Sequence, residues 1–244
     1  MASALLGETP PTLSVRRLVR VAGLFAINDN QARVALSRMV ARGEVATDGS
    51  GNYTLQGPLL GRAHRQAVSR KGSTGEFDGQ FHLVVVTQSG DAAHVRQRRR
   101  AALRLARLGE IRDGVWLRPA NLGIELDADT RRSVSVFSAA PDEDPASLCR
   151  SAFDLEGWSR RATQLVREMD RAELDGASLA AGFSLDAAVL RHLQRDPLIP
   201  ASLLSPTWPG GALRTRYERF DAAFRSALAA AHRSFAGHDA APTA

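Results

Sequence analysis

The chain has 244 residues and a formal charge of +6, with a pI near 10.7. That length allows one large or two to three small domains with real cores, and the basic balance favours a polyanionic partner, most simply DNA. A single cysteine, Cys149, excludes an intramolecular disulfide framework, and no apolar run is long enough to span a bilayer, so a cytoplasmic protein without membrane contact is expected.

Met1–Gly7 is a short apolar piece, a stub of helix, broken by Pro10-Pro11. From Ser14 an amphipathic helix is expected. Val15, Leu18, Val21, Ala22 and Phe25 form its apolar stripe, Arg16, Arg17 and Arg20 face out, and Gly23 lies near its end. Those arginines suit phosphates or, equally, a solvated basic face.

The stretch Ile27–Leu55 is the most informative. Ala32, Ala35, Leu36, Met39 and Val40 share one face of a helix. Asn28 and Gln31 form a capping-box pattern at its start, and Gly43 supplies the left-handed residue at its end. Val45–Thr47 and Tyr53–Leu55, joined by Asp48-Gly49-Ser50-Gly51-Asn52, read as a hairpin. Opposite the apolar face lie Asn30, Gln31, Arg33, Val34, Ser37 and Arg38. Such residues reach base edges and phosphates without filling a major groove. A helix followed at once by a hairpin is the layout of a winged helix-turn-helix, although an ordinary surface helix packed on a hairpin would look the same. Arg33 is the first candidate for a guanine. Arg38, one residue before the core Met39, has two readings, a structural ion pair or a DNA contact. Asn52 and Tyr53 are candidates for the backbone beside a minor groove.

Pro58–Lys71 reads as a basic helical connector, and Gly72-Ser73-Thr74-Gly75 as a flexible joint. A second unit starts near Phe77. Phe81–Thr87 is a buried strand by composition. Asp91–Leu108 is a helix with Val95, Ala102, Leu103 and Ala106 on one side and the basic stripe Arg96, Arg100, Arg104 and Arg107 on another. Glu110–Arg112, Asp113-Gly114 and Val115–Leu117 read as a hairpin of type I′ character, and Ser133–Ser138 as a further strand. Strand, helix, two strands, a short element and a strand suggest a ferredoxin-like sandwich. After the acidic linker Ala139–Pro145 the chain turns helical. Trp158, Ala162, Leu165, Val166 and Met169 mark one helix, and a second covers roughly Ala177–Gln194. Arg195–Gly211 holds four prolines and cannot be a continuous helix. Leu213, Tyr217, Phe220, Phe224 and Leu228 mark the apolar face of the last one.

The expected fold class is therefore α+β and multidomain. Its parts are a winged helix-turn-helix over residues 1–57, a helical connector over 58–75, a ferredoxin-like domain over 76–140, a C-terminal helical domain over 145–236 and a disordered tail over 237–244. The six histidines show no metal-ligand spacing, and no nucleophile elbow or phosphate loop is present. No catalytic residue, metal or cofactor is expected, and an enzyme is not the leading reading.

Four segments, RVALSRMVARGEV, FDGQFHLVVV, LGEIRDGVWLRPANL and RDPLIPASLLSPTWPG, together resemble the PaaX family of transcriptional regulators, in the family's order and over nearly the whole chain. The resemblance implies the three parts above, the middle one similar to the CRISPR spacer-acquisition nuclease. It also implies a homodimeric repressor of an aromatic-acid catabolic operon of the phenylacetate type, released from operator DNA by an aryl-acyl-CoA such as phenylacetyl-CoA. On that reading Arg96, Arg100, Arg104 and Trp208 are candidates for the effector, against a solvated or dimer-facing helix for the arginine stripe. Two departures stand out. Met1–Gly7 is only a remnant of the family's first helix, and Thr87-Gln88-Ser89 stands where the nuclease carries its metal-binding Asp. The alternatives are a nucleic-acid-processing enzyme derived from the middle domain, or an effector-free module that binds DNA or a protein partner.

Overall fold

The computed structural model describes residues 1–8, 10–72, 75–174 and 178–238, from 231 onward as backbone. Ser73 and Thr74 of the expected joint, Ala177 and residues 239–244 of the expected tail lie outside the described residues; 237–238 continue a helix. The protein is a mixed α+β chain with two small antiparallel sheets. Two compact units make it up, each assembled from separate stretches of sequence.

The first unit takes Met1–Lys71, Gln164–Gln194 and Ala212–Ala244. Its elements begin with α1 (Ala2–Leu6), β1 (Thr12–Ser14), α2 (Val15–Gly23), α3 (Asp29–Ala41), β2 (Val45–Thr47), β3 (Asn52–Leu55) and α4 (Gly57–Lys71). It also holds the end of α8 (Leu155–Arg171), all of α9 (Leu179–Gln194) and most of α10 (Gly210–His238). The sheet order is β1-β3-β2. Leu5, Leu18, Leu36 and Leu55 form a buried core, with Phe183 of α9 and Leu228 of α10 packed against it. Polar ties bind the same unit. Gln66 of α4 donates to the Leu6 carbonyl at 3.1 Å and accepts from Gln194 of α9 at 3.2 Å. Arg70 of α4 meets Asp221 of α10 at 2.5 Å. The expected boundaries run consecutively along the chain, with 145–236 as one domain. The compact units depart from that because α4 supplies buried polar partners to α9 and α10.

The apolar stripe expected from Ser14 holds at Leu18, Val21 and Ala22, all buried. Phe25 does not join it and is half exposed. The helix ends at Gly23, and Ala26 takes the left-handed conformation at φ +56. Phe25 instead rests edge-on against Phe183, 5.4 Å between ring centroids.

The second unit takes Gly72–Thr163 and Arg195–Gly211. It contains β4 (Phe81–Val86), α5 (Ala93–Leu105), β5 (Gly109–Arg112), β6 (Val115–Pro119), α6 (Ala128–Arg132), β7 (Val134–Ala139), α7 (Pro145–Ala152), the start of α8 and a 3-10 turn at Ala201–Leu203. Its antiparallel sheet has the order β5-β6-β4-β7. Val84, Leu103, Leu108, Trp116 and Val134 fill one core. Phe81, Leu117, Leu148, Cys149 and Ile199 fill another. β4 is less buried than its composition suggests, since only Phe81 and Val84 are fully covered.

Two expectations fail here for local reasons. The 113–114 turn is not type I′, which needs positive φ at both positions. Only Gly114 has it, at φ +75, and the ladder absorbs the mismatch as a bulge between Glu110 and Arg112. The arginine stripe of α5 is also shorter than its spacing implies. Arg107 lies beyond the helix end at φ +61 and reaches the Asp196 carbonyl.

Candidate nucleic-acid interface

α3 is defined at both ends by its own sequence. Asn28 accepts from the Gln31 backbone at 2.9 Å, and Gln31 returns a bond to the Asn28 backbone N–H at 3.1 Å. This reciprocal cap satisfies two otherwise orphaned donors. At the far end the Gly43 N–H donates to Val40 and the Glu44 N–H to Met39, both at 2.9 Å. That paired closure needs a left-handed residue, and Gly43 supplies it at φ +65.

Between those ends the helix is two-faced. Ala32, Leu36 and Met39 are buried, with Ala35 beside them. Val40, expected in the core, is instead 37% exposed, because it sits at the edge of the stripe. Asn30, Gln31, Arg33, Val34, Ser37 and Arg38 are all exposed. Ile27, Asn30, Gln31, Val34, Ala35 and Arg38 line a shallow hollow on this face. Gln31 is committed to the cap, and the Ser37 hydroxyl donates to the Arg33 carbonyl at 3.1 Å, which leaves its lone pairs open. Arg33 and Arg38 have no carboxylate partner among the described residues, so the ion pair considered for Arg38 does not form. The nearby pair is Arg42 with Glu44, at 2.8 Å.

α2 packs across α3 and adds Arg16, Arg17 and Arg20 on its exposed side. Arg17 leans on Glu8 at 3.5 Å, whereas Arg16 and Arg20 have no such partner among the described residues. β1 joins the hairpin through the pairs Leu13↔Tyr53 and Ser14↔Asn52. Tyr53 is therefore central in the small sheet and packs on the core of its unit. Asn52 is engaged too: its side-chain amide donates to Asp48 at 2.7 Å. Asp48 also accepts from the backbone of Ser50 and Asn52, and these bonds, Asn52's first, hold its carboxyl far below the usual range. The hairpin tip thus carries a fixed negative charge, a feature that the turn-rich composition did not reveal.

The effector candidates fall in the second unit. Arg100 reaches Glu110 at 2.5 Å and Arg104 reaches the same carboxylate at 3.8 Å, while its guanidinium lies 5.7 Å from the Trp116 ring centroid. Arg96 donates to the Asp91 carbonyl at 2.5 Å. Arg99, absent from the expected stripe, is buried and paired with Asp91 at 2.6 Å. Trp208 stacks on Trp158 with centroids 4.6 Å apart, so one of its faces is covered. Among the described residues no group of three His, Cys, Asp or Glu side chains is placed to hold a metal ion, and no helix is long and apolar enough to cross a membrane.

These features define a mixed α+β protein whose first unit presents a capped helix, a crossing helix and a hairpin with an unneutralised cationic face. A family profile described as PaaX-like protein matches residues 2–57, the stretch from α1 through β3. A solved structure titled as the uncharacterized protein Rv0674 from Mycobacterium tuberculosis shares 36% identity, spans 93% of this chain and 95% of its own, and superposes with a TM-score of 0.74. The comparison with curated proteins finds no match. The chain belongs to the PaaX-like family.

Proposed function

We propose that this protein is a ligand-responsive, DNA-binding transcription regulator, a homodimeric repressor of an aromatic-acid catabolic operon of the phenylacetate type. One observation carries the reading: Arg16 and Arg20 of α2 and Arg33 and Arg38 of α3 are exposed without carboxylate partners among the described residues. A polyanion can engage such groups without first displacing a carboxylate. The succession α1, β1, α2, α3, β2, β3 supports a winged helix-turn-helix in which α3 enters the major groove. There Arg33 grips a guanine edge, Asn30 and Ser37 take polar base or phosphate contacts, and Val34 meets a thymine methyl. Arg38, Arg16 and Arg20 serve phosphates. Gln31, Asn52 and Tyr53 act mainly by holding the helix and hairpin in shape, given their bonds and packing. The order β5-β6-β4-β7 supports a ferredoxin-like middle domain.

The regulator answers to an aryl-acyl-CoA, whose phosphates need cations and whose ring needs an aromatic pocket; Arg96, Arg100, Arg104 and Trp208 remain the candidate set. A gel-shift assay on the intergenic DNA beside this gene tests the whole reading. Binding that is lost on adding phenylacetyl-CoA is expected. Binding with no response to any aryl-acyl-CoA would leave an effector-free DNA-binding module, and no binding at all would overturn the proposal.

A further inference from the structure

Glu8, just after α1, stands between two arginines of the first unit. Its Oε1 lies 3.5 Å from Arg17 of α2, and its Oε2 lies 3.2 Å from Arg225 of α10. The two grips differ. Glu8 is the one carboxylate that Arg17 meets among the described residues, the contact is long, and about half of the Arg17 side chain is exposed. Arg225 holds on more firmly. It meets Glu8, donates to the Gly7 carbonyl next to it, and pairs with Asp221 at 3.0 Å. Asp221 is anchored in turn by Arg70 of α4 at 2.5 Å. Glu8, Arg17, Asp221 and Arg225 border one small cavity, so the Glu8 carboxylate has space to turn toward either arginine. Arg17 also has a telling place. The Ser14 hydroxyl caps α2 by accepting from the Arg17 N–H at 3.4 Å, which sets Arg17 in the first turn of the helix that crosses α3, next to the unpaired Arg16.

We propose that Glu8 and Arg225 are positioning residues for DNA binding: Arg225 keeps the Glu8 carboxylate on the α10 side, so that Arg17 is released to a backbone phosphate. A phosphate has only the long Arg17–Glu8 contact to displace, and a pair this exposed resists it by no more than about two- to fivefold in affinity. Without Arg225 the carboxylate has one cation left, closes on Arg17 and neutralises it. The last helix of the chain thereby sets how much positive charge α2 offers to the duplex, through a single shared carboxylate. The inference names a regulation of the proposed DNA face, and rests on that reading only in taking α2 toward phosphates.

Titration of the full chain with a short random-sequence duplex at several salt concentrations tests it, since phosphate contacts do not depend on sequence. Glu8→Gln should bind about threefold tighter with a steeper salt slope, and Arg225→Gln about threefold more weakly with a shallower one. Arg225→Lys, which keeps the charge, should stay within about twofold of the wild type. In the Glu8→Gln background Arg225→Gln should cost nothing, and in the Arg17→Ala background neither substitution should matter. Additive effects, as long-range charge alone would give, would overturn the inference, as would weaker binding by Glu8→Gln. Selection of one sequence from a random pool by a wild type that lacks this coupling would strike the inference and leave the regulator reading standing. A wild type that binds no duplex would overturn both.

Discussion

Helices α3 and α5 are both 13 residues long, and both display arginines on an exposed side. In α5 three of the charges are answered, Arg99 by Asp91 and Arg100 and Arg104 by Glu110, while Arg96 donates to the Asp91 backbone carbonyl and Arg98 is exposed without a carboxylate partner among the described residues. In α3, Arg33 and Arg38 stand without a carboxylate among the described residues. A phosphate approaching Arg100 or Arg104 must displace a carboxylate or tolerate it, whereas at Arg33 and Arg38 the full charge is available. Partners, rather than the number of arginines, mark a binding face. A chain of net charge +6 can therefore commit some arginines to its own cohesion and leave others open to a polyanion.

Three alanine substitutions break or sharpen that contrast. Arg33→Ala should cost about 1–3 kcal/mol of operator binding, roughly 5- to 150-fold in affinity, and relax specificity at one base pair. Arg16→Ala and Arg20→Ala should each weaken all sequences alike and lower the salt slope by about one, read by titrating DNA at several salt concentrations. Unchanged affinity for all three would erase the difference between the helices.

The next effect is in stability. The Asp186 carboxyl accepts from the Tyr217 hydroxyl at 2.8 Å, and burial pushes its pKa up to about 6 from an ordinary 3.8. The native state then holds this proton more tightly than the unfolded chain does. Its contribution to stability is greatest below about pH 4 and declines as pH rises to about 6, by about 2 kcal/mol. Asp186→Asn keeps an acceptor for Tyr217 and should flatten that part of the slope in urea melts at pH 4, 5, 6 and 7. An equal slope in both proteins would count against the burial argument.

Glu110→Gln should lose about 1 kcal/mol of stability while leaving DNA affinity within about twofold, since it frees Arg100 and Arg104 far from the proposed groove contacts in sequence. Ala26→Gly should be the smallest change, a gain of about 0.5–1 kcal/mol, because alanine pays for the left-handed turn at φ +56 between α2 and α3. A thermal melt that falls instead would show that the alanine side chain contributes more than its backbone costs.

Much of this contrast was legible in the sequence where the signals are local. The cap Asn28–Gln31, the left-handed Gly43, the buried Ala32, Leu36 and Met39, and the apolar face of α10 all follow from spacing and residue type. Distant pairing was not legible. Nothing near Arg100 in sequence announces Glu110 as its partner across a turn, and nothing marks Gln66 as the buried tie between α1 and α9. Nor does periodicity show where a helix stops: Phe25 and Arg107 continue their stripes on paper, but each lies past a helix end beside a residue of positive φ or at one. The candidate DNA face was readable because it is made of consecutive turns of one helix. The effector candidates were not, because their availability depends on what folds against them.

The central claim is that the exposed side of α3 reads duplex DNA, and in vitro selection from a random duplex pool with the purified chain tests it most directly. Enrichment of one pseudo-palindromic sequence, with a preference at one position in each half that Arg33→Ala abolishes, is the predicted result. Recovery of no sequence, or of the same sequence with undiminished preference by Arg33→Ala, would contradict it.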